Sequence, residues 1–278
     1  MLKVKLLVVR ICFLFSLSAA CHAADSNLSG VDGAALKFSS WDKDVAVWKR
    51  ATFSKNNLSF NLYESGSTPS IGLGVNSDSL APSRKYALIQ RTVFGELNDG
   101  QQITSTEKSY CDMVSMDTGC VLLSRPAEAC SGSWKGVNWS TDGGEVIAPK
   151  LETITPKELV KSAAAISDAA SRALAIKDQM FMGVDSYISC YPPAKNVQAL
   201  NDLGFYLAQA GDDLSALKIY RGVETTGKRT VLMLNIADSL WNMKKTSEAI
   251  EYYKRYSDAM NADGKSAKIP VRVPERIQ

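Results

Sequence analysis

Histidine is almost absent from this sequence of 278 residues, which contains only His22. That residue lies in a segment with the pattern of a cleaved leader, described below, so the remaining chain would have none. Ser-His-Asp and Cys-His catalysis, histidine general bases and His-containing zinc sites all require histidine. No other catalytic arrangement stands out in the sequence, which therefore predicts a protein that is not an enzyme.

A surplus of charge of one sign is also missing. The chain has 32 Lys and Arg against 29 Asp and Glu, and three of the basic residues lie among the first 23. The rest of the chain carries 29 of each and is close to neutral. Nucleic-acid binding requires a basic surface that contacts phosphates, so we expect no nucleic-acid partner.

A hydrophobic run long enough to span a membrane is lacking, but a shorter one lies near the amino terminus. Basic residues come first, at Lys3, Lys5 and Arg10. An apolar run from Ile11 to Leu17 follows, and then small residues. A spanning helix needs about 20 apolar residues. Residues 1–23 therefore read as a secretory signal peptide cleaved after Ala23, and we expect an exported, periplasmic or secreted protein without a transmembrane segment.

An alternative processing of the same segment would leave a lipid anchor. Ser18-Ala19-Ala20-Cys21 resembles the lipobox of bacterial lipoproteins, whose cysteine is lipidated. That family usually has an aliphatic residue three positions before the cysteine, where this sequence has Ser18. The resemblance implies lipidation of Cys21 as the alternative to cleavage after Ala23.

Four cysteines follow the predicted signal peptide, at Cys111, Cys120, Cys130 and Cys190. An even number in an exported chain predicts two disulfides with three possible connectivities. Nearest-neighbour reasoning favours Cys111–Cys120 and Cys130–Cys190. The spacings of nine, ten and sixty residues lack the C-x-x-C pairs of zinc sites, so we expect no metal.

The first half of the remaining chain has the patterns of β-structure. Residues 24–37 are small and polar, which predicts a flexible leader. In the region 38–150, alternation such as that of Leu58, Phe60 and Leu62 predicts half-buried strands. Further strands are expected at 71–75 and 86–94. Several short strands between turn signals indicate a β-rich antiparallel domain, a sandwich or a barrel.

The second half, residues 153–262, has the patterns of helices, so the fold class is α+β. Thr155-Pro156-Lys157-Glu158 is a capping box with proline at the first helical position. Apolar residues then recur at three- and four-residue steps, which predicts one helix to about Met182. Residues 263–278 contain two prolines and are expected to form an extended tail.

A repeat occurs between residues 197 and 262. A shift of 33 positions aligns Leu203 with Ile236, Gly204 with Ala237, Leu207 with Leu240, Ala216 with Ala249, and Tyr220 with Tyr253. This stretch resembles the tetratricopeptide repeat, which has Leu-Gly early in its first helix and a small and then an aromatic residue in its second. The chain departs from that family in its period of 33, in the missing proline at each repeat's end, and in having two copies.

The resemblance implies an inner groove that binds peptides of partner proteins. Matched position by position, the first copy supplies Asn201, Phe205, Ala208 and Gln209 to this groove. The second copy supplies Leu234, Asp238, Trp241 and Asn242. An aromatic side chain in a groove makes a good anchor, so Trp241 is the leading candidate. The alternative is that Phe205 and Trp241 pack against the next helix and that the repeat only completes its own core. The favoured function is a scaffold for envelope or secreted proteins.

A second function could reside in the β-rich domain. Trp134 and Trp139 lie among small polar residues and could stack on sugar rings, which would suit a cell-wall or glycan-associated protein, possibly hydrolytic. Paired carboxylates can hydrolyse glycosides without histidine, but no pair stands out here. The alternative is that the two tryptophans cover a disulfide.

One segment has part of a cofactor motif. Gly222 to Lys228 fits the first seven positions of a P-loop. Arg229 stands where magnesium binding needs Ser or Thr, and the motif should follow a strand. We therefore expect no cofactor.

Overall fold

The computed structural model describes residues 25–64, 70–98, 100, 102–227 and 229–277. These residues form eleven strands followed by eight α-helices, which is the mixed class that the sequence predicts. The predicted signal peptide, with its alternative lipid site at Cys21, lies outside the described residues.

An antiparallel sheet of eight strands lies at the centre of the protein. Its strands are β1 (Ser26–Ser29), β2 (Ala35–Asp42), β3 (Val47–Lys55), β4 (Leu58–Asn61), β5 (Ser70–Gly74), β6 (Tyr86–Asn98), β7 (Ile103–Ser115) and β8 (Val121–Pro126). Seven of them lie side by side in the order β1-β2-β3-β5-β6-β7-β8, and β4 pairs with the second half of β3. The sheet is open, with β1 and β8 at its edges, and does not close into a barrel.

The prediction of a flexible leader at 24–37 is wrong for the residues that the structure describes. β1 pairs with β2 from Ser26 opposite Phe38 to Ser29 opposite Ala35. Leu36 and Phe38 are fully buried. An edge strand is held by its backbone hydrogen bonds and needs few apolar side chains. The small polar residues of β1 therefore showed no strand pattern in the sequence.

The two faces of the sheet pack on different partners, because successive side chains of a strand point to opposite faces. In β6, Ala87 and Ile89 share a buried cluster with the helices. Leu88 instead joins a smaller cluster with Trp139 and Ile147. Those two residues belong to a three-stranded sheet of β9 (Gly132–Lys135), β10 (Asn138–Thr141) and β11 (Val146–Ile147). The main sheet is thus covered by helices on one face and by a second sheet on the other.

The helices follow the strands in sequence. They are α1 (Pro156–Ala163), α2 (Ala169–Gln179), α3 (Val184–Cys190), α4 (Pro193–Gln209), α5 (Asp213–Glu224), α6 (Thr230–Asn242), α7 (Thr246–Ala262) and α8 (Arg272–Ile277). The capping box of Thr155 and Glu158 is present at the start of α1. Within the described part of the chain, no helix combines the length and the apolar character needed to cross a bilayer.

The single helix predicted to run to about Met182 is in fact two. Asp168 caps the start of α2 by accepting a hydrogen bond from the Ser171 backbone N–H at 2.7 Å. Asp and Ser favour such caps because their side chains bond to nearby backbone groups. Asp168 therefore starts a new helix within the region where apolar residues recur at three- and four-residue steps. The first helix ends before it, at Ala163.

Helices α4 to α7 bury all ten residues that the 33-residue shift aligns. Small residues allow the helices to approach closely. A Cβ atom added to Gly204 would lie 2.5 Å from Cε1 of Tyr220, whose side chain is fully buried.

This close approach predicts the cost of adding a methyl group. Gly204→Ala should lower the free energy of unfolding by about 1–3 kcal/mol, since overpacking outweighs the gain of about 1 kcal/mol in helix propensity. Gly222→Ala in α5 is the control, because the nearest atom to its added Cβ is 3.4 Å away. Urea unfolding should find this control neutral or stabilising. Equal stability of the two variants would contradict the tight contact with Tyr220.

Two disulfides join Cys111 to Cys130 and Cys120 to Cys190. The nearest-neighbour pairing of Cys111 with Cys120 is therefore wrong. Cys111 packs in the cluster of Trp139, on the face covered by the second sheet. Cys120 reaches Cys190 at the end of α3, on the face covered by helices. The two disulfides fit a chain that matures in an oxidising compartment.

The prediction of an extended tail at 263–278 is also wrong. Val273 in α8 is fully buried, and α8 follows a short 3-10 turn at Ser266–Lys268. Pro274 does not prevent the helix, because it lies in the first turn, where the backbone N–H groups lack helical partners anyway.

Candidate functional site

The structure brings together five of the eight residues predicted to line the groove, including Ala208, whereas Asn201, Leu234 and Trp241 lie outside the shared cavity. Phe205 and Gln209 of α4, and Asp238 and Asn242 of α6, line one cavity of about 270 Å³. The other residues around this cavity are Ala208, Asp213, Tyr220, Asn235, Arg272 and Arg276. Arg272 and Arg276 belong to α8, so the C-terminal helix forms one wall of the groove.

Asn201 and Trp241 do not line this cavity. Asn201 is buried, and its Oδ1 accepts a hydrogen bond from Nδ2 of Asn235 at 3.1 Å. Trp241 is half-buried, and the guanidinium of Arg276 lies 4.9 Å from its ring centroid. The ring of Trp241 also meets that of Tyr253 edge-on. Trp241 is therefore covered by α8 and is not the open anchor that the sequence suggested.

Asp238 holds α8 in place. Nη2 of Arg272 donates to Oδ2 of Asp238 at 2.7 Å, and Nη1 of Arg276 donates to Oδ1 at 3.0 Å. The hydroxyl of Tyr253 donates to the same Oδ1 at 2.7 Å. The hydrogen bond to Asp238 raises the pKa of Arg272. One carboxylate of α6 thus binds two guanidinium groups that are four residues apart on a short helix.

Asp213 is the second carboxylate of the cavity, and it has no cationic partner among the described residues. Its exposed fraction is 7%, and its Oδ1 accepts one hydrogen bond, from Nδ2 of Asn242 at 3.3 Å. Asp213 is the first residue of α5, where the helix dipole favours a negative charge. Its carboxylate therefore lies at the favourable end of the helix and borders the cavity without a cation beside it among the described residues.

The hydroxyl of Tyr220 is a buried polar group without a hydrogen-bond partner among the described residues. Burial, together with the carboxylates of Asp213, Asp238 and Asp202, raises the pKa of Tyr220 well above its usual value. The hydroxyl therefore stays protonated. An unsatisfied buried hydroxyl costs stability, so its position beside the cavity suits a polar group that enters from outside.

A larger cavity lies elsewhere, between the main sheet and α2. It has a volume of about 790 Å³. Apolar side chains line much of it, among them Ile71, Val93, Leu174, Met180, Phe181 and Val184. No sequence pattern indicated this cleft, because its walls combine strands that end by Pro126 with helical residues from Leu174 onward, which lie far apart in the sequence.

A buried ion pair forms the floor of the cleft. Nε of Arg91 donates to Oδ2 of Asp112 at 2.6 Å, and both residues are at least 95% buried. The hydroxyls of Tyr63 and Ser124 also donate to Asp112, at 2.8 and 2.5 Å. Burial and the neighbouring Asp112 carboxylate raise the pKa of Tyr63. The charge of Arg91 is paired with Asp112, and the oxygens of Asp112 accept hydrogen bonds from Arg91, Tyr63 and Ser124. This network therefore stabilises the sheet and does not require a ligand.

The two tryptophans proposed as a sugar platform lie on the other face of the sheet. Trp139 is 2% exposed and packs in one cluster with Cys111 and Cys130, which form a disulfide. Trp134 meets Trp139 edge-on and donates its Nε1 hydrogen to the carbonyl of Asp78 at 2.8 Å. These contacts favour the interpretation that the tryptophans cover a disulfide.

Comparisons with protein-family models, with curated proteins and with solved structures find no match for this chain. Its function is therefore inferred from its own residues and their contacts.

Proposed function

We propose that this protein is an exported, non-catalytic binding protein whose helices α4 to α7 act as a tetratricopeptide-like pair of repeats. In this proposal, the groove lined by Phe205, Gln209, Asp238 and Asn242 binds a segment of an envelope or secreted protein. The burial of all ten residues aligned by the 33-residue shift supports the repeat. The two disulfides support the exported location.

One observation carries the proposal: a short helical segment already lies against this groove. α8 contacts α6 through the ion pairs of Arg272 and Arg276 with Asp238, and it contacts α7 through Arg276 beside Tyr253. Its Arg276 also covers Trp241. The same surface can therefore hold a peptide by ion pairs and aromatic contact, which is how a helix laid in a groove is recognised.

The cavity beside α8 leaves room for a partner. Phe205 is 44% exposed although it is a large apolar residue, and it borders the cavity. An exposed aromatic side chain next to polar groups is typical of an interaction hot spot. We therefore place the first contact of the partner on Phe205.

Site-specific crosslinking tests this proposal. A photoreactive amino acid in place of Phe205 should capture a small set of proteins in cells, because it would lie against the bound segment. The matched control replaces Leu214, an apolar residue of α5 that is 59% exposed and outside the cavity. The proposal requires proteins that are captured from position 205 and not from position 214. It fails if both positions capture the same set or if neither captures any.

Capture should also depend on the groove itself. Trp241→Ala removes the ring under Arg276 and should loosen α8, whereas Phe205→Ala should remove the contact to the partner. We expect Phe205→Ala to reduce binding of the captured protein by about tenfold or more, the effect of losing one aromatic hot spot. Binding unchanged in Phe205→Ala would exclude the cavity as the contact site.

A further inference from the structure

From the Asp213 carboxylate, which has no cationic partner among the described residues, and the unsatisfied hydroxyl of Tyr220, we infer that the bound segment is basic, and that one of its Lys or Arg side chains enters the cavity and pairs with Asp213. This inference rests on the proposed function and adds to it the chemistry of the partner. The cavity of about 270 Å³ is smaller than the 300–1,000 Å³ typical of small-molecule sites. It therefore suits one side chain and not a whole small ligand.

The two carboxylates that line the cavity differ in their partners. Asp238 is paired with two arginines, whereas Asp213 has only the neutral Asn242 as a partner. Asp202 lies near enough to Tyr220 to affect it electrostatically, and its Oδ1 is bonded by the neutral Gln198. Asp213 and Asp238 line the cavity together with Arg272 and Arg276, and of these two carboxylates only Asp213 lacks a cation among the described residues, so a partner's cation would pair with it.

The unsatisfied hydroxyl of Tyr220 also favours a cation. It is fully buried, lines the cavity and has no hydrogen-bond partner in the described parts of the chain. An ammonium or guanidinium group has several N–H donors on one centre. Such a group could donate to the free oxygen of Asp213 and to the oxygen of Tyr220 together. An anion placed beside Asp213 would be repelled by that carboxylate instead.

The groove already contains one bound guanidinium group, that of Arg276. Arg276 already places a guanidinium between Asp238 and the rings of Trp241 and Tyr253. Charge-assisted hydrogen bonds and cation–π contacts of this kind are the strong ones. Asp213 offers the same carboxylate on the other side of the cavity, without an occupant.

A pair of isosteric probes tests the inference on the full chain. Butylguanidinium and butylurea have nearly the same shape, but only the first is charged. In NMR titrations that follow the side-chain amide of Asn242, butylguanidinium should bind about tenfold more tightly than butylurea. Asp213→Asn keeps the shape and removes the charge, and it should abolish this preference, whereas Asp202→Asn should leave most of it.

The outcomes separate the inference from the proposed function. Equal binding of the two probes, or a preference that persists in Asp213→Asn, overturns the basic-partner inference even if Phe205 crosslinks a partner. Should Asp213→Asn fail to fold, Gln209→Lys provides the second variant, because Gln209 is exposed and borders the cavity. The added ammonium should remove the preference for butylguanidinium, and an unchanged preference would contradict the inference.

Discussion

Asp112→Ala should be among the most destabilising single substitutions in this protein, lowering the free energy of unfolding by about 3–5 kcal/mol. Asp112 is fully buried and is the only carboxylate paired with Arg91 in the described residues. Its removal would leave a guanidinium buried between the rings of Tyr110 and Phe181 without a counterion. The hydroxyls of Tyr63 and Ser124 would lose their acceptor as well.

The matched control is Asp117→Ala at the neighbouring turn. Asp117 also forms an ion pair, with Lys55, but its side chain is 65% exposed. Exposed pairs contribute about 0–1 kcal/mol. Chemical denaturation of both variants should therefore separate them by at least 2 kcal/mol. A loss of similar size in both would show that water reaches the Arg91–Asp112 pair.

Removing the Cys120–Cys190 disulfide should have a comparable effect. Double replacement by alanine is expected to cost about 4 kcal/mol, because this bond closes a loop of 70 residues and restricts the unfolded chain. The bond also fixes α3 against the strand that follows Cys120. Without it, the contact between the main sheet and the helices depends on apolar packing and hydrogen bonds such as that from Ser186 Oγ to the carbonyl of Gly119.

The second disulfide provides the comparison. Cys111–Cys130 spans 19 residues within the β-rich part, so its removal should cost about 3 kcal/mol by the same chain-entropy argument. Denaturation without reductant, on both double-alanine variants, measures the difference. A larger loss in the free energy of unfolding on removal of Cys111–Cys130 would mean that its contacts with the Trp139 cluster affect stability more than loop length does.

Features that depend on neighbouring residues were predictable from the sequence. The alternation of Leu58, Phe60 and Leu62 indicated β4, and the run from Tyr86 indicated β6. The capping box at Thr155 marked the first residue of α1. The 33-residue shift selected buried positions, because a repeated helix pair must bury the same face in each copy.

Features that depend on distant residues were not predictable. β1 is held by pairing with β2 and has no apolar pattern of its own. α8 is helical because Val273 is buried and Asp238 binds its arginines, whereas Pro274 within it and Pro270 before it suggested a tail. The same helix explains why Trp241 is not the exposed anchor that the sequence predicted. Arg276 of α8 covers its ring, and no local pattern shows what will cover a side chain.

The disulfide pairing also depends on residues that are distant in the sequence. Cys111 and Cys120 are close in sequence, but they face opposite sides of the sheet. Which face a cysteine occupies depends on strand register, and a shift of one residue reverses it. The ladder of β7 and β8 has such an irregularity between Met113 and Val114.

The two disulfides interleave along the chain, since Cys120 lies inside the loop closed by Cys111 and Cys130, and its own partner is Cys190. Synthesis proceeds from the amino terminus, so three of the four thiols become available while the fourth has yet to be made. Oxidation in order of appearance would join Cys111 to Cys120 and leave Cys130 for Cys190. Maturation then requires thiol–disulfide exchange, in which a free thiolate attacks the wrong bond. Production of this protein should accordingly be limited by disulfide isomerisation, and a host with a strong isomerase should give a higher yield than one with only a strong oxidant.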